Sequence, residues 1–179
     1  MTSYEEGGVP QNPTVTLQII SQKNVTIRFM KIRIAEKQDI ETLMKIRLEM
    51  LRVVNNLPDD YEYSDEFVRC HREYFENGDQ TTVLAENENG EAVGCASISY
   101  INVMPTFSHP TGKRAHLMNV YTRAEYRRLG LAKKMIELLI EEAKSRGVTE
   151  ISLDSTNAGR PLYENLGFTA SDCCMTMKL

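Results

Sequence analysis

Arg123-Ala124-Glu125-Tyr126-Arg127-Arg128-Leu129-Gly130-Leu131-Ala132 stands between a short apolar segment and a longer amphipathic one. Ahead of it, Ala115-His116-Leu117-Met118-Asn119-Val120-Tyr121-Thr122 ends in β-favouring residues and reads as a buried strand. Behind it, Ala132, Met135, Ile136, Leu139, Ile140 and Ala143 recur at helical spacing, with Lys133, Lys134, Glu137, Glu141 and Lys144 on the other face. Gly147 supplies the stop. A strand that passes through a glycine turn into a helix leaves the first-turn N–H groups unpaired and facing the loop, where the helix dipole favours an anion. Gly130 and Ala132 keep the approach to those amides clear, and Arg127, Arg128, Lys133 and Lys134 surround it with positive charge. The stretch therefore reads as a phosphate cradle.

Two familiar phosphate loops do not fit. There is no G-x-x-x-x-G-K-[ST], and the glycines of G-x-G-x-x-G are missing. What stands here, Arg127 to Ala132, is R-x-x-G-x-A, and it resembles the coenzyme A pyrophosphate loop of the GNAT acetyltransferase superfamily. Gly159-Arg160-Pro161-Leu162-Tyr163-Glu164-Asn165-Leu166-Gly167-Phe168 is similar to the L-Y-x-x-x-G-F segment that follows the family's next strand. The two motifs come in family order, with a strand expected over 150–154 between them, and the resemblance covers residues 31–179.

That resemblance implies an α+β fold, a mixed, mostly antiparallel sheet flanked by helices, in the order β-α-α-β-β-β-α-β-α-β. The residues agree. Ile40, Leu43, Met44, Arg47, Leu48 and Leu51 outline an amphipathic helix over 38–54, broken by Pro58. Ser64 can cap a second helix whose stripe is Phe67, His71, Tyr74 and Phe75, with Tyr63 stapled onto Val68. Strands over 81–85 and 92–100 form a hairpin around Asn89-Gly90, and a proline-punctuated loop over 102–112 follows, either a specificity loop or a plain connector. A last strand is expected over 171–179. Residues 1–30 read as an extension, either an added hairpin (14–20 with 25–30) or an arm, with the family-like domain beginning at a strand over 31–35. Because the chain has no further strand after 179, one sheet edge would need the arm or a partner subunit of a homodimer to cover it.

Composition permits this reading. A chain of 179 residues with 41% hydrophobic content suits one domain with a real core. A net charge of −4 argues against a nucleic-acid partner, and no run of about eighteen apolar residues suggests a membrane span. The polar start, with Glu5 and Glu6, is unlike a signal peptide. Cys70, Cys95, Cys173 and Cys174 lack metal-site spacing, and His71, His109 and His116 are scattered, so free thiols in a reducing cytosol and no metal are expected.

Acyl transfer from a thioester to an amine needs a base for the ammonium proton, donors for the thioester oxygen and an acid for the leaving thiolate. The resemblance implies acetyl-CoA as cosubstrate, backbone donors at Val120, Tyr121 and Thr122, and pyrophosphate contacts along Arg127, Arg128, Leu129, Gly130, Leu131, Ala132 and Lys133. It makes Tyr163 the candidate acid, against a purely structural aromatic. His116, expected on one strand face with Met118 and Val120, is the candidate base, against an amine that arrives deprotonated; Asp154, Glu91 and Glu125 compete with it. Many relatives have an Asn seven residues before the tyrosine; Thr156 stands there and Asn157 is one place late, so Ser155, Thr156 and Asn157 share the expected pantetheine contact. The acceptor is a small-molecule or peptide amine, which Glu49 or the acidic residues from Asp59 to Glu66 could attract if it is cationic. Two functions stand: an N-acetyltransferase acting by direct attack in a ternary complex, and a non-catalytic acyl-CoA-binding regulatory domain.

Overall fold

The computed structural model describes residues 12–20, 27–172 and 174–178. The irregular stretch 1–11, the residues 21–26 between the two N-terminal strands, Cys173 and Leu179 lie outside the described residues. Six strands, β1 (Thr14–Ile20), β2 (Ile27–Ile34), β3 (Gln80–Glu86), β4 (Ala92–Asn102), β5 (Lys113–Thr122) and β6 (Glu150–Leu153), lie side by side in chain order. Every pair is antiparallel except β5 and β6. A parallel pair needs a long crossover, and α3 (Leu131–Ser145) supplies it. Helices α1 (Ile40–Val54) and α2 (Asp65–Asn77) connect β2 to β3, and the short α4 (Arg160–Asn165) follows β6.

The helices divide between the two faces of the sheet. Under α3 lie Met30, Ile32, Val83, Ala85, Ala96, Ile98, Ala115 and Leu117, met by Leu131, Met135, Ile136, Leu139 and Ala143. Each of the larger side chains contributes about 1.5–3 kcal/mol by leaving water. On the opposite face Leu43, Met44, Ile46, Met50 and Phe75 pack on Leu84, Cys95 and Tyr121. Adjacent residues such as Val83 and Leu84 serve opposite layers, as the two-residue period of a strand requires. Ser64 accepts from the Phe67 amide at 3.3 Å and so caps α2, while Tyr63 stacks on Phe67.

Three expectations change. First, the strand expected over 31–35 begins at Ile27 and pairs with β1 from Thr14↔Arg33 to Ile20↔Ile27, so of the two readings of the extension the N-terminal strands form the added hairpin on the sheet. Second, the last strand over 171–179 is absent among the described residues: 174–178 are exposed and unpaired, because β6 has only four residues and a half-exposed surface on which to build. Third, the described part of the N-terminal arm lies away from the edge beside β6, since β1 closes the far side of the same sheet. The loop 103–112 lies where β5 begins, about 20 Å along the strand from residue 119, and is closed by Val103 donating to Gly112.

Candidate active site

Strand β5 is the axis of the site. Ser97 pairs with Met118 and Cys95 with Tyr121, so Asn119 and Val120 together oppose the single residue Ala96. That is a bulge, and Asn119 takes φ +57, a left-handed conformation that asparagine tolerates. The bulge reverses the faces. Met118 lies within reach of Tyr74 on α2, Val120 turns to the α3 core, and Tyr121 turns back towards α1. The alternation expected for His116, Met118 and Val120 on one face therefore fails at Val120, because an extra residue shifts the period.

Strand β6 accompanies β5 only from Arg114↔Glu150 to Leu117↔Leu153. From Met118 to Thr122 β5 continues without that neighbour, and the bulged backbone borders a slot open on one side. Beyond the slot, Arg123 and a 3-10 turn at Ala124–Tyr126 lead to Arg128 (φ +64) and Gly130 (φ +80). A Cβ on Gly130 would meet nothing within 4 Å, so the glycine answers to its backbone angle and leaves open space over the helix start. No side chain caps α3, and its first N–H groups face that space. Arg127 and Arg128 are exposed beside it, Arg127 anchored by its Nε donating to the Thr122 carbonyl at 3.0 Å. Leu131 is 1% exposed and so can offer a ligand only backbone, while Leu129 and Ala132 are partly buried against the core. Lys134 pairs with Glu137 at 2.8 Å, and Lys133 with the same carboxylate at 3.8 Å.

The cradle is tied to α1. Glu49 accepts from Arg123 through both oxygens, at 2.8 and 2.7 Å, and from the Tyr121 hydroxyl at 3.1 Å. Burial pushes the Glu49 carboxyl up, but the guanidinium and phenol outweigh it and hold it below the usual range. Glu49 is therefore committed to positioning the end of β5, which corrects its expected role as a ligand for a cationic acceptor. Tyr121, buried and facing this carboxylate, is pushed up to about 12.

His116 pairs with Ser99, whose hydroxyl bonds Tyr74, so the imidazole lies on the face carrying α1 and α2. Its Nδ1 is 2.9 Å from Ser152 Oγ, and that hydroxyl donates to the Ala115 carbonyl at 3.3 Å. Where the hydroxyl proton goes to Ala115, Nδ1 carries the hydrogen and Nε2 the lone pair. Nε2 is 3.9 Å from Asp154. Tyr163 lies on the other side of the sheet, packing with Leu162, Leu166 and Phe168 on the α3 core, its ring edge-on to Phe168. Burial pushes its phenol up. The two candidate catalytic side chains thus lie on opposite faces of the sheet.

Thr156 is used locally: its hydroxyl accepts from the Gly159 amide at 3.2 Å and starts α4, while Asn157 is exposed. Cys95 is fully buried, its thiol pushed up to about 12, which suits packing and not nucleophilic attack. Two surface hollows, of about 290 and 560 Å³, lie where β3 and β5 begin, at the opposite end of the sheet from the cradle. The bulge, the uncapped helix and the slot are where the chemistry-bearing groups converge. No helix of the described residues is long and apolar enough to cross a membrane.

The model of the acetyltransferase (GNAT) family matches residues 42–168, from α1 through the bulged strand to the end of the tyrosine motif. The chain belongs to the GNAT acetyltransferase family. A glucosamine 6-phosphate N-acetyltransferase of Trypanosoma brucei brucei is 33% identical over 99 residues, which cover 55% of this chain and 65% of that enzyme. The chain thus spans just under two-thirds of that relative's length. The enzyme of that name from Arabidopsis thaliana is 26% identical over 148 residues, 80% of this chain and 91% of its own. The crystal structure of a predicted acetyltransferase from Clostridium acetobutylicum with acetyl-CoA superposes with a TM-score of 0.72 at 30% identity, covering 83% of this GNAT chain and 96% of that one.

Sequence reasoning missed Arg47 and Asn119. Arg47 Nη1 donates to Asn119 Oδ1 at 3.1 Å across 72 residues of chain, and Asn119 Nδ2 donates to Ser97 Oγ at 3.0 Å. The signal for Arg47 was present, since it stood on the inward stripe of α1 among apolar residues.

Proposed function

We propose that this GNAT chain transfers the acetyl group of acetyl-CoA to a primary amine by direct attack in a ternary complex. The observation that carries the reading is the coincidence, within one strand and turn, of the β5 bulge, the missing β6 neighbour and the uncapped start of α3. The residues fit the cosubstrate: open space over Gly130 admits a pyrophosphate to the first-turn amides, with Arg127, Arg128 and Lys133 around it. When bound, acetyl-CoA supplies an activated acetyl thioester.

The chain does the rest. Backbone at Val120, Tyr121 and Thr122 borders the slot and directs donors to the thioester oxygen, while Asn157 holds the pantetheine, since Thr156 is engaged in its own turn. His116 takes the amine proton on Nε2, with its tautomer fixed by Ser152 and the resulting positive charge met by Asp154. Tyr163, kept protonated by burial, delivers a proton to the departing sulfur from the other face. A buried, high-pKa Cys95 supports direct attack over an acyl-enzyme.

The test is thiol release from acetyl-CoA over a panel of amines, comparing the wild type with Tyr163→Phe. We expect turnover on at least one amine and a fall in kcat of about 10²-fold or more in the variant. Coenzyme A binding with no turnover on any amine would instead support a regulatory acyl-CoA-binding domain.

A further inference from the structure

We propose that the acceptor carries an anionic group, a phosphate or carboxylate, and that Arg47 binds it. The inference rests on the acetyltransferase reading for the site's location and adds the charge of the substrate.

Three observations carry it. Arg47 projects from α1 onto the acceptor face of the bulge, where its Nη1 reaches Asn119, one residue from Met118 and three from His116. Its remaining surroundings are neutral: Met50 Sδ at 4.0 Å from Nη1, with Tyr63, Tyr74 and Cys95 nearby. Among the described residues no carboxylate lies within 4 Å of it, a lack it shares with Arg52 and the exposed Arg127 and Arg128, whereas Arg33, Arg72, Arg114, Arg123, Arg146 and Arg160 each have one. Arg47 is also half-buried, and that burial pulls its pKa down from the ordinary value. A guanidinium with five N–H donors, partly withdrawn from water and given one amide oxygen, holds its charge at a cost that an arriving anion would offset.

The location identifies which ligand the charge serves. Phosphates of the donor belong at Gly130, eleven residues further along the chain than the Asn119 that Arg47 bonds, and Arg123 between the two is already paired with Glu49. An acetyl thioester carries no charge for Arg47 to meet. A polyamine, by contrast, would bring cations against an uncompensated cation. The partly exposed Tyr74 and Ser99, whose hydroxyls bond each other, lie on the same face and suit a polar acceptor.

The experiment compares amines matched except for charge: glucosamine 6-phosphate against glucosamine, and glutamate against glutamine, with spermidine as the cationic probe. Steady-state kinetics are run at saturating acetyl-CoA on the wild type, Arg47→Met and Arg47→Lys, and calorimetry of the same compounds is run on the coenzyme A complex. The expected result is a preference of about tenfold or more for the anionic member of at least one pair, expressed in KM. Arg47→Met should abolish that preference and Arg47→Lys should recover part of it; the pair that responds tells phosphate from carboxylate. Loss of fold alone would not invert a charge preference, so a structural Arg47 predicts equal losses on both members. Equal losses, a preference for neutral or cationic amines, or no anion-dependent binding in any pair overturns the proposal. Arg47-dependent binding of an anionic amine without any turnover upholds the anion site and overturns the acetyltransferase reading.

Discussion

The two faces of the sheet handle polar groups in opposite ways. Under α3 the interior is an apolar layer, and polar function emerges only where the helix starts, from backbone N–H groups at Gly130. Under α1 and α2 the face is threaded with side chains: Glu49, Tyr74, Thr82, Ser97, Ser99, His116 and Asn119 bond to one another or to neighbouring elements. The first face asks little of distant sequence. The second needs residues from α1, α2, β4, β5 and β6 to arrive together, and it contains the unspent charge of Arg47.

The sharpest way to break this contrast is Gly130→Val. A β-branched residue at φ +80 costs about 1–2 kcal/mol or more and places methyl groups over the amides. Coenzyme A affinity, measured by calorimetry, should fall about tenfold or more, while a face that bound its donor through side chains would tolerate the change.

A smaller effect is expected from Glu49→Gln, which would uncouple α1 from the cradle. Its carboxyl titrates below the ordinary carboxylate range in the folded chain. The stability it contributes is therefore fully present above the unfolded-state value near pH 4.3 and is lost as pH falls through the lower folded value. Urea unfolding at pH 7 should show a loss of about 1–2 kcal/mol, discounted because the pair is about a quarter exposed. At pH 3 the difference between variant and wild type should shrink. A difference that stays constant across that range would show that packing, not the ion pair, joins the helix to the strand.

The smallest effect belongs to Ser152→Ala. Without the hydroxyl, His116 Nδ1 loses the partner that fixes its tautomer, and kcat should fall a few-fold, about 1 kcal/mol in the barrier, with KM for acetyl-CoA little changed. An unchanged kcat would remove His116 from the chemistry and favour an amine that arrives deprotonated.

The legibility of the sequence follows the same division. The turn from β5 into α3 could be read because its parts lie within ten residues and its requirement, a glycine opening a helix, is local. Helices α1 and α3 were legible from their stripes, and Ser64 from its capping role. The bulge was not, since a strand pattern carries no mark of which neighbour will skip a residue; the only hint was an asparagine inside an apolar run. The last strand failed for a related reason. It was expected over 171–179 from the family order, yet a strand exists only where a partner edge accepts its hydrogen bonds.

By itself, then, the sequence determined the family, the glycine turn that opens α3 and the helical layers, because backbone conformation and hydrophobic period are set by near neighbours. Tertiary structure decided the rest: that β6 stops short of the bulge, that Glu49 is spent on Arg123, that His116 and Tyr163 stand on opposite faces, and that Arg47 has no carboxylate among the described residues. Each of these depends on which residues distant in the chain come within a few ångströms, and that is a property of the packed sheet.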